Sequence, residues 1–338
     1  MKKIAIVGNF VWPHYQQALL DGFKACSDCI TPFPIVLKYY PVWNLLGIFI
    51  NSIILLYYII KTSPQIVFLY RVDYIFACIL PIMKKITGCK LLIYHNDDPY
   101  NKDLNRSRKH YYFLRSVKYA DIAYVYRDVN INEALALGAK EAKLMRSHYY
   151  SKYDKACECP IDFSQKKNEI IFIGHYEPDD RIEYLDALFK AGINIHIYGH
   201  DDWFPSFEKY KWPKDHLHPA IYGSEYRKKL SEAYAALAFF SKKNRDDYTR
   251  RCFEIPMAGT LLVAPKTKYM EKVFNDGVNV VLFSSPLDLI MKVTEIMSNK
   301  YMVKAMTEAG VKFIRDGNFS EIDCAKMVIN DINKLFHE

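Results

Sequence analysis

Low-complexity tracts are missing from this sequence, and 51% of its residues are hydrophobic, so a disordered chain is excluded. No zinc-finger, helix-turn-helix or RNP pattern occurs, so nucleic acid is not an expected partner. No short-period repeat is present, which excludes a solenoid or propeller. Met1-Lys2-Lys3 leads directly into Ile4-Ala5-Ile6-Val7-Gly8, too short an apolar run for a secretory leader. A cytoplasmic protein is therefore expected, with its eight Cys as thiols. Cys26-x-x-Cys29 stands alone and Cys157-x-Cys159 has the wrong spacing for a zinc site, so no structural metal is expected.

What is present suits two domains. A chain of 338 residues can bury two cores. Its net charge of +8 points to an acidic partner such as a nucleotide, a pyrophosphate lipid or an anionic membrane. Strand-like and helix-like runs alternate, the signature of parallel sheets covered on both faces. In the first half the strands are expected at Ile4–Val7, Ile35–Tyr39, Ile66–Tyr70, Leu91–Tyr94, Ile122–Tyr126 and Ala142–Met145. Helices are expected at His14–Ala25, Asp73–Thr87, Asn105–Tyr119 and Asn130–Leu137. The polar, Lys-rich stretch Tyr149–Lys167 reads as a linker, and a second strand–helix series begins at Glu169. The expected organisation is therefore α/β, with two Rossmann-like domains at 1–160 and 161–318. A final helix at 319–338 would cross back onto the first domain.

Doubly wound sheets bind ligands beyond the carboxyl ends of their strands. In the first domain that rule selects Gly8 and Asn9, then Arg71 and Asp73, then His95-Asn96-Asp97-Asp98-Pro99. Asp97, Asp98 or His95 has the chemistry of a general base for an acceptor hydroxyl. Asp-Asp-Pro equally suits a helix cap. His14, after the first strand's loop, is a second candidate base. In the second domain the rule selects Gly174 and His175, Gly199, and Ser241-Lys242-Lys243.

The densest signal is Asp246-Asp247-Tyr248-Thr249-Arg250-Arg251-Cys252-Phe253-Glu254-Ile255-Pro256-Met257-Ala258-Gly259. If Asp247–Met257 is helical, Arg250, Arg251 and Glu254 share one side near its start. A helix N-terminus and arginines favour phosphate, and a carboxylate can accept from a ribose diol. Together they meet the needs of a nucleotide diphosphate.

With Arg251, Phe253, Glu254 and Gly259 in this order, the segment resembles the donor motif of GT-B glycosyltransferases of the CgeB-like group, distantly related to glycosyltransferase family 4. Ile170–Gly174, Arg181, Ile195–Trp203 with Gly199, and Gly223–Tyr226 are similar to that group's other landmarks. The resemblance implies a GT-B fold, two Rossmann-like domains facing across a cleft. It also implies transfer of a sugar from a nucleotide-diphosphate donor to a saccharide or lipid-linked saccharide. Bacterial surface-polysaccharide synthesis is the expected setting. Donor contacts would then fall on Arg250, Arg251, Glu254, Asp246, Asp247, Thr249, Gly174, His175, Arg181, Gly199, Lys242 and Gly259. Acceptor contacts would fall on Gly8, Asn9, Arg71 and Asp73. Asp246 stands where family 4 carries a longer Glu. No Asp-x-Asp occurs, and the leaving pyrophosphate would be neutralised by arginine and lysine, so no metal or other cofactor is expected. Three alternatives use the same residues: a transferase with phosphoribosyl or another diphosphate donor, a nucleotide-sugar epimerase of the same fold, and a non-catalytic glycan-binding protein.

Val42–Ile60 carries no charge for nineteen residues, close to the length of a membrane span. It lies between two expected strands of one sheet, where a crossing would break the domain. A helix resting on a membrane surface is expected, with Trp43, Tyr57 and Tyr58 near the interface; a buried core helix is the other reading.

Overall fold

A computed structural model describes residues 2–11, 13–35, 44–71, 73–102, 110–154, 157 and 160–336. The chain divides into two compact units, one of Met1–His148 with Ser320–Glu338, the other of Tyr149–Phe319. The polar stretch from Tyr149 thus goes with the second unit.

The first unit contains β1 (Ile4–Gly8), α1 (Ala18–Cys26), β2 (Ile30–Pro34), α2 (Asn44–Thr62), β3 (Ile66–Tyr70) and α3 (Ile79–Thr87). It continues through β4 (Lys90–His95), α4 (Tyr111–Ser116), β5 (Ile122–Val125), α5 (Val129–Ala136) and β6 (Ala142–Leu144). Its six-stranded sheet runs β2-β1-β3-β4-β5-β6 and is parallel throughout. Strands β1, β3 and β5 are wholly buried, as uninterrupted apolar runs require when helices cover both faces.

The second unit contains β7 (Lys167–Ile173), α6 (Arg181–Lys190), β8 (Ile195–Gly199), α7 (Phe204–Tyr210), β9 (Leu217–Pro219), α8 (Gly223–Glu232) and β10 (Ala233–Leu237). Then follow α9 (Arg251–Met257), β11 (Leu261–Pro265), α10 (Lys268–Val273), β12 (Val281–Phe283), α11 (Pro286–Ser298) and α12 (Lys300–Asp316). Its sheet runs β12-β11-β10-β7-β8-β9, again parallel. The last helix, α13 (Glu321–Lys334), packs on α1 in the first unit. There Gly22 leaves room for the Glu321 carbonyl, which would lie 2.4 Å from an added Cβ. Each unit is a Rossmann-like domain.

Two expectations are corrected, and a third lies partly outside the described residues. The second strand is Ile30–Pro34; Ile35 follows it, and residues 36–39 of the expected strand lie outside the described residues. The helix expected from Asp73 starts only at Ile79, because Asp73 is turned inward onto two histidines. The helix expected over Asn105–Tyr119 is described from Tyr111, and its start at 105–109 lies outside the described residues.

Candidate functional site

In both sheets the chain first extends in one direction and then reverses, leaving a topological switch between β1 and β3 and another between β7 and β10. The residues after those strands lie where such folds bind ligands.

At the second switch, Gly174 follows β7 and Gly199 ends β8. The indole of Trp203 packs across both and donates from Nε1 to the Gly174 carbonyl at 3.0 Å. An added Cβ on Gly199 would lie 2.4 Å from that ring, and one on Gly174 would lie 2.7 Å from the Phe172 ring. Both glycines are therefore required by packing. His175 comes next and stacks on His200 with centroids 5.5 Å apart. Burial pushes its pKa below the ordinary histidine value, and the Arg251 charge pushes the same way, so the ring is neutral.

The arginine pair sits on α9, but this helix starts at Arg251, not at Asp247, and has seven residues. Ahead of it the chain forms a turn: Arg245 adopts a left-handed φ of 51°, and the Asp246 N–H donates back to the Ser241 carbonyl at 2.9 Å. Oxygen and nitrogen geometry then separates the two arginines. Arg250 is buried and donates to Glu254 and to Asp154, both buried as well. Glu254 also accepts from the Tyr226 hydroxyl at 2.9 Å. Arg251 is half-buried, and its Nε is enclosed without a hydrogen-bond partner among the described residues. No ion pair ties Arg251 down among the described residues. Asp154 and Tyr226 lie 96 and 28 residues from their partners, so no local pattern could have marked them.

The other expected donor residues are placed as follows. Arg181 is buried and spent on its own loop, donating to Asp179 at 2.7 and 2.9 Å and to the His175 carbonyl at 2.9 Å. These bonds tie it to the loop after β7. Lys242 is exposed and paired with Asp180. Asp246 is half-buried, and Asp247 is exposed with its carbonyl accepting from Thr267 Oγ1 at 2.7 Å. The Thr249 carbonyl accepts from the Cys252 N–H at 3.1 Å, opening α9. Gly259 lies past the opposite end of α9 from Arg251, in a left-handed φ of 73°, where an added Cβ would meet Cys157 Sγ at 2.7 Å. Gly259 is thus a helix stop and a packing position.

At the first switch the charges answer one another. The Asp97 N–H donates to His95 Nδ1 at 3.1 Å, which leaves the proton on Nε2. His95 Nε2 then faces Asp73 Oδ2 at 3.1 Å, and His110 Nδ1 faces Asp73 Oδ1 at 3.2 Å. All three side chains are buried. Burial holds His95 below its ordinary pKa, and Asp73 opposes that without overcoming it. Burial pushes Asp73 up, yet the two histidines outweigh it and hold the carboxyl well below the carboxylate range. These three groups are also the one metal-capable cluster among the described residues, with ligand atoms within 4.8 Å of one another. The Asp97 N–H and the Asp73 carboxylate together partner both ring nitrogens of His95.

Asp98, expected as a possible base, is fully buried and accepts from the Tyr100 N–H at 3.2 Å and from Asn130 Nδ2 at 2.9 Å. It caps the turn. Asp97 is the carboxylate that reaches solvent, and Arg71 Nη2 pairs with it at 2.6 Å. Arg71 itself holds a left-handed φ of 58°. Gly8 admits Gln16, whose Oε1 would lie 2.4 Å from an added Cβ, and Asn9 Oδ1 accepts from the Val11 N–H at 3.2 Å. His14 is half-buried in a short π-helix, Pro13–Gln17.

Comparison with known proteins gives the architecture its class. Residues 181–321 match a family model described as glycosyl transferase-like. That match covers most of the second domain and none of β1–β6. Solved structures similar to the whole chain include Anabaena HepE in complex with UDP-glucose, with a TM-score of 0.72 at 10% identity, covering 99% of this chain and 100% of that one. Another is the sucrose-phosphate synthase of Thermosynechococcus elongatus, with a TM-score of 0.70 at 11% identity and full coverage of both chains. A third is the lipopolysaccharide outer core galactosyltransferase WaaB in its apo form, with a TM-score of 0.67 at 14% identity, covering 98% and 99%. No curated protein matches in sequence. The fold is GT-B, and the matched residues 181–321 include Arg251 and Glu254.

Proposed function

We propose that this glycosyltransferase-type chain moves a sugar from a nucleotide-diphosphate donor to a saccharide or lipid-linked saccharide, on the cytoplasmic side of a bacterial membrane during surface-polysaccharide synthesis. The observation that carries the reading is the division of labour between two adjacent arginines. Arg250 is neutralised by Asp154 and Glu254, whereas Arg251 is half-buried and unpaired among the described residues. A half-enclosed, unmatched guanidinium is costly unless an anion completes it, and a diphosphate offers bidentate oxygens that fit its fork. As the glycosidic bond breaks, charge collects on the leaving diphosphate, and Arg251 stabilises it. Glu254, oriented by Arg250 and Tyr226, takes the donor's ribose hydroxyl through its remaining lone pairs. The motif Arg251-x-Phe253-Glu254 supports the CgeB-like group within GT-B. Uridine is the base to try first, since the structures of HepE hold UDP and UDP-glucose.

The test is thermal stabilisation by UDP, UDP-glucose, other nucleoside diphosphates and phosphoribosyl pyrophosphate, with and without EDTA. A ligand at about a hundred times its Kd adds about 2.7 kcal/mol of stability, a readable rise in Tm. The expected result is a rise with one nucleotide family that survives EDTA and disappears in Arg251→Ala. No rise with any nucleotide, or a rise kept in Arg251→Ala, overturns the reading.

A further inference from the structure

Helix α2 inverts the usual arrangement of a surface helix. Its buried stripe includes Ile48, Ser52, Leu55 and Ile59, of which Leu55 and Ile59 join the core of the first domain. Ser52 caps that contact by accepting from the Phe76 N–H at 2.8 Å. The opposite stripe carries Leu45, Phe49, Ile50, Ile53, Ile54 and Tyr57, and all six are exposed. Phe49 is 53% exposed and Tyr57 64%, where an ordinary surface helix presents charge. Only 22% of the helix's most apolar stretch, Leu45–Thr62, is buried.

The apolar surface does not end with α2. Helix α3 packs beside it and exposes Ile82 and Ile86. The exposed apolar positions of α2 run from Leu45 to Ile60, about 22 Å by the helical rise, and those of α3 lie on a helix in contact with it. Contiguous patches of that kind mark an interaction site. The charge within the two helices has one sign. Neither helix contains an acidic residue. Lys61, near the Tyr57 ring at 5.8 Å, and Lys85 are exposed.

We propose that this face of α2 and α3 lies on an anionic lipid bilayer. Apolar side chains enter the acyl boundary to about 5–10 Å while lysines meet the headgroups. A crossing helix does not fit, because Leu55 and Ile59 are held at 0% exposure within the domain core. Two copies face to face would bring like charges together around the patch, whereas an anionic surface complements them. The inference does not depend on what the second domain binds.

The experiment is co-sedimentation of the full chain with vesicles of phosphatidylcholine, with and without phosphatidylglycerol, at low and high salt. A parallel triple variant carries Phe49→Ser, Ile53→Ser and Tyr57→Ser, all at exposed positions, and its Tm is measured to confirm an intact fold. Lys61→Glu with Lys85→Glu forms a second variant. The expected result is binding favoured by phosphatidylglycerol and weakened by salt, about tenfold lower or more in the triple variant. The lysine variant is expected to lose the preference for phosphatidylglycerol. No vesicle binding by the native chain, or equal binding by the triple variant, overturns the proposal. So does a native dimer that the triple variant converts to monomer without any vesicle binding, since a second copy would then cover the face. Release by detergent alone, never by salt, also overturns it in favour of insertion.

Discussion

At the carboxyl edge of the first sheet, Asp73 answers His95 and His110, Arg71 answers Asp97, and Asp98 answers the Tyr100 N–H and Asn130. At the corresponding edge of the second sheet, Arg250 answers Asp154 and Glu254, and the next residue, Arg251, answers nothing among the described residues. Both edges carry buried charge, but among the described residues the second leaves an enclosed cation, Arg251, over. The difference teaches how to rank charged residues: a saturated network holds a loop in place, and an unsaturated charge marks where a ligand belongs.

The sharpest way to break that contrast is to remove each arginine in turn. Arg250→Ala strands two buried carboxylates and is expected to cost about 3–5 kcal/mol, the usual result of halving a buried ion pair. Arg251→Ala strands nothing; Tm should stay near that of the native chain while kcat/KM falls by about a hundredfold to a thousandfold. Calorimetry alongside a sugar-transfer assay separates them. If Arg251→Ala melts early and Arg250→Ala does not, the roles assigned to the pair are reversed.

Next in size is the glycine pair under Trp203. Gly199→Ala would place a Cβ 2.4 Å from the indole and 2.9 Å from the Gly174 carbonyl. The ring must move, at about 1–3 kcal/mol for an overpacked site. Because Trp203 Nε1 holds the Gly174 carbonyl, the loop carrying His175 should shift with it. Weaker nucleotide binding together with a lower Tm is expected. Unchanged nucleotide Kd in a destabilised variant would detach this loop from the donor.

The same contrast explains what the sequence could show. Strands β1, β3, β4 and β5 are legible because uninterrupted apolar runs in a parallel sheet leave few other readings. Strand β2 is not, since Ile-Thr-Pro-Phe-Pro carries two prolines. They are tolerated because β2 is an edge strand, pairing among the described residues with β1 alone. Arg251 and Glu254 stand out through their spacing. What the spacing misassigns is the partnership: Glu254 belongs to Arg250, and the third member, Asp154, comes from a stretch that reads as linker. His110 is likewise invisible, because only the fold brings it to Asp73.

Acid should sharpen the comparison further. Burial holds His175, His196 and His218 in the second domain, and His95 in the first, below their ordinary pKa. Each is neutral when folded and takes up a proton more readily when unfolded. Their stabilisation is therefore complete above about pH 6.5 and is lost as pH falls from there through the folded values. With His196 Nδ1 only 2.9 Å from His218 Nε2, double protonation is doubly unfavourable. As pH falls from about 6.5, the second domain, with three such rings, should lose more hydrogen-exchange protection than the first, which loses only the share of His95. The first should lose more as pH drops below the ordinary carboxylate value, about 4, where Asp73 loses its advantage. Protection that rises on acidification from pH 7 would refute the assignment.

The smallest expected change in stability comes from Arg71→Gly. Arg71 sits at a φ of 58°, a conformation that costs a side chain about 1–2 kcal/mol and glycine nothing. Glycine loses more chain entropy on folding, about 0.5–1 kcal/mol, and forfeits a partly exposed ion pair worth about 0–1 kcal/mol. These contributions nearly cancel, so Tm should barely move. A strained residue retained with no gain in stability is retained for what it does. If Arg71 and Asp97 together hold the acceptor, Arg71→Gly should raise the acceptor KM about tenfold or more while the nucleotide Kd stays fixed, the pattern of lost ground-state binding. An unchanged KM would make the Arg71–Asp97 pair one more saturated contact and would move the acceptor elsewhere along the first sheet.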